Sequence, residues 1–373
     1  MEIKPEKKCC IAVGMSGGVD STVAALLLKK EGYRVIGVTM QIWDGSINIP
    51  PSNKSACFGP GEEKDIKAAE NAAKKIGIPH YVVPLSKEYK QHVIEYFKEE
   101  YLAGRTPNPC VVCNKKIKFG ALLENMPKLG INYDFFSTGH YASVEYEQTS
   151  SRYLLKRGKD LKKDQSYFLS QLTQQILSRI FFPLGSLTKK EVCEIARANG
   201  FADYADKDES QDFIENDCYE YIFDNNKGKP GPFIDTSGKI IGQHKGIIHY
   251  TIGQRKGLGI SGFKEPLYVI NIDAEKNVIT VGPENALLNK EMTVENMNWI
   301  VDAQSLKPSF HCKVQIRLNH KAAEAEVKFA DPANFSTIKV HFQEPQRSIT
   351  PGQTAVCYHD DIVLGGGIIR SCK

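Results

Sequence analysis

At 373 residues the chain is long for one hydrophobic core, so two or three domains are expected. With 41% hydrophobic and 25% charged residues it has a globular balance. It shows no apolar run near the ~20 residues of a membrane span and no apolar leader core after Met1, which argues against a membrane protein and for a cytoplasmic location. The net charge of +4 is too mild to announce nucleic acid by itself, and ten cysteines in a reducing compartment argue against a disulfide scaffold.

Cys9-Cys10-Ile11-Ala12-Val13 predicts a buried parallel strand, and Val19, Val23, Leu26 and Leu27 repeat at helical spacing up to Lys30, with Gly32 as the stop. Between them Ser16, Gly17 and Gly18 are too small to shield the backbone, so their N–H groups and the helix N-terminus can face an anion. The form S-G-G-V-D-S is neither a Walker loop nor the dinucleotide fingerprint. A second strand follows over 33–40, then a long irregular segment over 41–61 that carries Cys57, a helix over 62–76 closed by Gly77, a strand over 81–83 and a helix over 88–101. Gly104 to Pro109 breaks regular structure, Cys110 to Asn114 continues irregularly, Lys115 to Asn125 is helical, and a strand over 134–138 ends at Gly139-His140. This alternation implies a parallel α/β sheet whose ligand lies at the strands' carboxyl ends. Ser16 to Gly18, Met40 and Thr138 to His140 should converge there.

Two short strands are expected between Tyr141 and Arg157, and a helix over 189–199 with Thr188 as its cap and Gly200 beyond it. Lysines cluster at 115, 116 and 118 and again, with Arg157, at 156, 159, 162 and 163. From about Lys207 glycine, proline and β-branched residues rise. From Leu267 short alternating strands over 268–272, 278–281, 312–317, 323–329, 337–342 and 355–358 suggest a small barrel or sandwich. The expected domains are 1–206, a nucleotide-binding catalytic α/β domain; 207–275, a small central domain; and 276–373, a C-terminal β-barrel. Cys9, Cys10, Cys193, Cys312 and Cys357 fit buried structural positions; Cys57, Cys110, Cys113 and Cys218 sit in less regular sequence.

S-G-G-V-D-S resembles the signature of the PP-loop ATP pyrophosphatases (adenine nucleotide alpha-hydrolase-like fold), which adenylate an oxygen and release pyrophosphate. The run Gly104-Arg105-Thr106-Pro107-Asn108-Pro109-Cys110-Val111-Val112-Cys113-Asn114-Lys115-Lys116-Ile117-Lys118-Phe119 resembles the T-P-N-P-x-x-x-C-N-x-x-I-K-F segment of the tRNA-specific 2-thiouridylases (MnmA/TRMU family). Thr138-Gly139-His140-Tyr141-Ala142, Lys163-Asp164-Gln165-Ser166-Tyr167, the run from His249 to Gly257 and Pro351-Gly352-Gln353 match that family in order. The resemblance implies 2-thiolation of the wobble uridine of tRNA, with ATP and Mg²⁺, through adenylation of the C2 oxygen and sulfur transfer. It implies ATP contacts at Gly14, Met15, Ser16, Gly17, Gly18, Val19, Asp20, Ser21, Met40 and Gly139. It implies tRNA contacts at Asn108, Pro109, Cys110, His140, Lys163, Asp164, Gln165, Arg317 and Gln353. Cys113 takes the nucleophile position, with Lys115 and Lys116 expected to lower its pKa. The implied partners are tRNA and a sulfur donor protein or sulfide, with the enzyme acting as a monomer away from membranes.

The sequence departs from that pattern in three places. Ile214 stands where a second cysteine is expected, with Cys218 four residues later; Cys110 stands where an aspartate is common, creating Cys110-x-x-Cys113; and Leu318 and Asn319 replace a tyrosine and an arginine beyond Arg317. Two mechanisms remain open. In one, Cys113 forms a persulfide or disulfide with Cys110 or Cys218 as partner. In the other, Cys57, Cys110 and Cys113 ligate a [4Fe–4S] cluster whose open iron carries the sulfur. The alternatives are, within the enzyme class, another PP-loop ligase such as one amidating a carboxylate and, from a different class, a tRNA-binding paralogue that has lost sulfur transfer.

Overall fold

The computed structural model describes residues 6–50, 56–206, 212–214, 219–223, 228–331 and 333–372. Cys218, one of the expected partner thiols, lies outside them, as do residues 209–211 of the segment that contains Ile214. The chain forms two compact units: residues 1–93, 110–221 and 361–363 make the first, and 94–109, 222–360 and 364–373 the second.

The first unit opens with β1 (Cys10–Gly14), α1 (Val19–Lys30), β2 (Arg34–Gln41), β3 (Ala56–Phe58), α2 (Glu62–Ile76) and β4 (His80–Pro84). α3 (Ser86–Tyr89) runs on through a π-helical stretch, Lys90–Ile94, into α4 (Glu95–Leu102), and the chain enters the second unit within that run. It returns along α5 (Pro109–Cys113), a second π-helical stretch Asn114–Ala121 and α6 (Leu122–Lys128). There follow β5 (Phe135–Thr138), the hairpin β6 (Ala142–Glu147) and β7 (Arg152–Arg157), α7 (Ser166–Leu169), α8 (Gln174–Leu177), β8 (Ile180–Phe181), α9 (Lys189–Ala198), α10 (Ala202–Ala205) and β9 (Asp212–Ile214). The central sheet runs β4-β2-β1-β5-β8, and all four of its pairings are parallel. β1 is its middle strand, apolar on both faces because helices cover both. On one side Ile11 and Val13 pack with Val23, Leu26 and Leu28 of α1 and Ala69, Ala72 and Ala73 of α2. The polarity reversal beside β1, with β2 on one flank and β5 on the other, is where such sheets open a ligand crevice.

The second unit holds a four-stranded sheet, β11-β10-β13-β12, built from β10 (Gly231–Ile234), β11 (Ile240–His244), β12 (Tyr268–Asp273) and β13 (Val278–Gly282). Beyond it β14 (Leu288–Trp299), β15 (Ser309–Gln315), β16 (Ala323–Asp331), β17 (Asn334–Arg347), β18 (Thr354–His359) and β19 (Ile362–Cys372) run β14-β17-β16-β15-β18-β19, and β14 pairs with β19 to close a six-stranded barrel. Closure removes the exposed edges. Val294, Val314, Val327, Ile338, Val340, Phe342 and Ile369 fill its core.

The parallel α/β sheet followed by a central domain and a C-terminal barrel is the expected fold class. Seven of the described strands were not legible: β3, which corrects the expectation that 41–61 is wholly irregular, and β8, β9, β10, β11, β14 and β19. The segment from Pro109 to Cys113 is also a correction, since it is a helix and not irregular. Cys10, Cys312 and Cys357 are buried as expected, while Cys9 and Cys193 are only half-buried. Among the described residues no helix is long and apolar enough to cross a membrane.

Candidate functional site

The loop from β1 to α1 is held open by its own small side chains. The Ser16 N–H donates to Ser21 Oγ at 3.1 Å, and Ser21 Oγ and Thr22 Oγ1 donate to the Gly18 carbonyl at 3.2 and 2.9 Å. Gly17 has φ +75°, and a Cβ there would strike the Asp65 carbonyl of α2. Gly139, after β5, is equally constrained, since a Cβ would lie 2.6 Å from the Asp20 carbonyl carbon and the Ser21 nitrogen. Met15 is tied to β2 by its N–H to Val38 O (2.8 Å) and by Thr39 Oγ1 donating to its carbonyl (2.7 Å). Gly14 ends β1 against the Phe136 ring, Val19 is buried at the start of α1, and Met40 is half-buried near the end of β2. The expected nucleotide residues of β1, α1, β2 and the β5 loop therefore sit at the carboxyl edge of adjoining strands.

Asp20 is the carboxylate of this loop. Its Oδ1 and Oδ2 take the Lys189 ammonium at 2.7 and 2.9 Å, and Tyr141 Oη donates to Oδ1 at 2.7 Å. A loop carboxylate suits the oxygen chemistry of magnesium, so Asp20 fits that role. Glu62 was missed by sequence reasoning. From the start of α2 its buried carboxylate accepts the Ile42 N–H (2.7 Å) and the Trp43 N–H (3.0 Å), pinning the chain as it leaves β2. Burial raises its pKa against those hydrogen bonds. An acidic residue opening a helix after a long loop was the only signal.

The thiols form the second part of the first unit's site. Cys110 and Cys113 share one face of α5 at i, i+3, and Cys57 projects from β3 on the side opposite buried Ala56 and Phe58. β3 pairs in parallel with β9, Phe58 opposite Ile214. Burial pushes Cys110 and Cys113 up to about 12, Cys57 adds to both shifts, and Lys118 opposes them. Tyr89, buried nearby, feels all three thiols. The expectation that Lys115 and Lys116 depress the Cys113 pKa is therefore corrected: Lys115 Nζ donates to Gln171 Oε1 instead (3.0 Å), and desolvation dominates. The thiols are neighbours, yet among the described residues no three His, Cys, Asp or Glu side chains are grouped to hold a metal ion. Asn114 donates from Nδ2 to the Cys110 carbonyl (3.0 Å), leaving its Oδ1 buried with no hydrogen-bond partner.

Several expected tRNA contacts are engaged within the protein. The His140 ring is buried between Phe119 and Phe182 with Nδ1 2.6 Å from Thr138 Oγ1, and burial holds its pKa well below the usual value. Asp164 pairs with Arg157 (2.8 Å) and accepts the Gly158 and Ser166 N–H groups. Gln165 Oε1 accepts the Tyr141 N–H (3.1 Å), and Lys163 lies beside it, half-buried. In the second unit the Asn108 N–H donates to Tyr96 Oη (3.2 Å). Gln353 Nε2 donates to the carbonyls of Thr106 (3.2 Å) and Pro107 (2.9 Å). That brings Gln353 beside the segment leading to Asn108 and Pro109. Arg317 Nη1 donates to the Arg347 and Ser348 carbonyls (3.0 and 3.4 Å), and it is not placed with Gln353 by any of these bonds.

Comparison with known proteins follows the same division. Residues 9–216 match the tRNA methyl transferase HUP domain model, 220–283 the tRNA methyl transferase PRC-barrel domain and 289–369 the aminomethyltransferase beta-barrel domain. The tRNA-specific 2-thiouridylase MnmA of Endomicrobium trichonymphae is 45% identical over 366 residues, 98% of this chain and 99% of that protein. The tRNA-specific 2-thiouridylase MnmA 1 of Caldanaerobacter subterraneus subsp. tengcongensis is 48% identical over 366 residues, 96% of this chain and 97% of that protein. With the family models and these relatives covering nearly all of it, the chain belongs to the MnmA family of tRNA-specific 2-thiouridylases.

Proposed function

We propose that this protein is an ATP-dependent tRNA-uridine 2-sulfurtransferase acting on the wobble uridine. The observation that carries the reading is the pairing, in one unit, of an open strand–loop–helix anion site with a helix-borne thiol pair. The C2 carbonyl of uracil is a poor leaving group. Its oxygen attacks the α-phosphorus of ATP, pyrophosphate leaves, and the C2–O–AMP ester makes AMP the leaving group. Gly14 to Ser21, Met40 and Gly139 bind the nucleotide, and a magnesium ion held through Asp20 would supply charge neutralisation at the phosphates.

Cys113 carries the sulfur. A thiol pushed up to about 12 is a poor nucleophile at neutral pH, whereas the persulfide formed when a donor protein's own persulfide passes its outer sulfur to Cys113, the donor thiol leaving, is a stronger acid. The terminal sulfur attacks C2 and AMP departs with the C–O electron pair. The Cys110 thiol, giving up its proton as it attacks, then adds to Cys113 Sγ, the S–S bond breaks toward the base to leave C2=S, and a Cys110–Cys113 disulfide remains for a cellular dithiol to reduce. The base must leave the anticodon stack to reach the thiols. In the first unit His140, Lys163, Asp164 and Gln165 are assigned to tRNA contact, and in the second unit Asn108 and Pro109 to the flipped base and Arg317 and Gln353 to tRNA contact, each on the family resemblance. The protein works as a monomer in the cytoplasm.

A second reading has one observation behind it. Cys57, Cys110 and Cys113 influence one another's charge, and three thiolates are the donor chemistry of an iron–sulfur cluster. As placed they do not form a metal group, so no step runs through a cluster. The test is iron content and absorbance after anaerobic purification and reconstitution, with single-turnover thiolation of tRNA by wild type, Cys113→Ser, Cys110→Ser and Cys57→Ser. The dithiol reading expects no iron, loss of thiolation in Cys113→Ser and Cys110→Ser, and activity retained in Cys57→Ser. About four irons per chain, lost with any of the three thiols, would overturn it.

A further inference from the structure

The Asp20–Lys189 pair joins the pyrophosphate loop to an element that neither the motif nor the family resemblance singled out. Lys189 is the first residue of α9. Its place is fixed twice over: Thr188 and Glu191 form a reciprocal capping box at the helix start, and the Lys189 N–H donates to Asp160 Oδ2 at 3.0 Å. From there the side chain reaches 169 positions back along the chain to grip both carboxylate oxygens of Asp20. Tyr141 closes the same carboxylate from another side. Asp20 in turn cannot shift toward β5, because Gly139 packs against its backbone.

The pair is half-buried, with 18% of the lysine and 28% of the aspartate side chain exposed. A half-buried ion pair contributes little net stability, since desolvation offsets much of the attraction. Its position carries the significance. The ammonium stands at the mouth of a loop whose backbone favours an anion. A carboxylate alone there would repel polyphosphate; the lysine cancels it and leaves a mobile cation at the rim.

We propose that Lys189 is the pyrophosphate-positioning residue of this site: its ammonium rests on Asp20 in the empty loop and transfers to the β- and γ-phosphate oxygens when ATP enters. The transfer frees the Asp20 carboxylate for the cation that accompanies the nucleotide. No bond is made or broken; an ion pair is exchanged. AMP lacks the β- and γ-phosphates, so Lys189 stays on Asp20 when AMP is bound. The assignment rests on the reading of the loop as an ATP site.

The test is equilibrium binding of ATP and of AMP, each with magnesium, to the full chain as wild type, Lys189→Met, Lys189→Arg, Asp20→Asn and Asp20→Asn/Lys189→Met. Far-UV circular dichroism and thermal unfolding accompany each variant. Lys189→Met is expected to weaken ATP at least tenfold and AMP less than twofold, with Lys189→Arg restoring most of the loss. In the Asp20→Asn background the lysine substitution is expected to cost ATP a similar factor again. A lysine that only neutralises Asp20 gives a different result: its removal costs nothing once Asp20 is neutral. Equal weakening of ATP and AMP, or ATP binding unchanged in Lys189→Met, overturns the assignment while leaving the ATP site standing. Failure of the wild type to bind ATP overturns both.

Discussion

Cys113 sits in an environment that suppresses the thiolate. Burial drives its pKa up to about 12, and the nearby charge of Lys118 does not compensate. An acid whose pKa is raised keeps its proton until the solution approaches that value. Between pH 7 and 10 the thiolate fraction therefore climbs about tenfold per unit without levelling. Iodoacetamide alkylation of Cys113, followed by mass spectrometry on the nucleotide-free protein, is expected to rise with that slope and to run well below the rate of an exposed cysteine at pH 7.5. A plateau near pH 8 would place the thiol in an activating environment and refute the account.

At the scale of elements, α9 carries its own instructions. The Thr188 hydroxyl and the Glu191 carboxylate satisfy each other's backbone N–H groups, and those bonds, with Lys159, hold Glu191 down to about 2. Thr188→Ala is expected to destabilise the first unit by about 1 kcal/mol, read as a shift in its urea midpoint. The folded-state pKa of Glu191 is depressed, so its contribution is complete above the ordinary carboxylate range and is lost as pH falls toward about 2. The gap between wild type and Thr188→Ala should therefore hold down to the ordinary carboxylate value of 4.5 and narrow below it toward about 2, and a constant gap would deny the carboxylate its part. A cap of this kind is visible in sequence, which is why the helix Lys189–Ala198 was legible to within a residue, while Glu62–Ile76, which has no side-chain cap, was legible from the left-handed Gly77 that ends it. α5 was not, although Asn108-Pro109 is a sound helix start: proline at the first helical position sacrifices no hydrogen bond. Placed after Thr106-Pro107 it looked like one long break. β19 escaped for a different reason, because Gly365, Gly366 and Gly367 resemble a turn. In the barrel there is no room for side chains at two of them, since a Cβ on Gly365 or Gly367 would meet Asn298 or Met297 of β14. The loop geometry of Ser16 to Ser21 was legible from local spacing. The Asp20–Lys189 pair was not, because no local pattern encodes a contact across 169 positions.

For the molecule as a whole the unresolved matter in the sequence was where one unit stops. Residues 94–109 belong with the second unit although they are flanked by segments of the first. The reason is a set of bonds within that unit. Thr106 donates its N–H to the Pro351 carbonyl at 2.9 Å, its hydroxyl meets the Thr251 hydroxyl, Gly352 packs against its backbone, and the Gln353 amide donates to Thr106 and Pro107. Gln353 was expected to contact tRNA, and the two roles make opposite predictions. If the amide's work is internal, Gln353→Ala leaves two carbonyls short of a donor and costs about 1–2 kcal/mol. Gln353→Glu costs more, because a carboxylate can only accept and would face two carbonyl oxygens with a negative charge. The expected order of thermal midpoints is therefore wild type, then alanine, then glutamate, with tRNA affinity falling as a consequence of the displaced Thr106–Pro109 segment. A residue serving tRNA alone would leave all three midpoints equal and lower only the affinity. The ordering of three melting curves decides between them, and it also decides whether the segment that leads into Cys110 is held in place by the barrel or merely passes it.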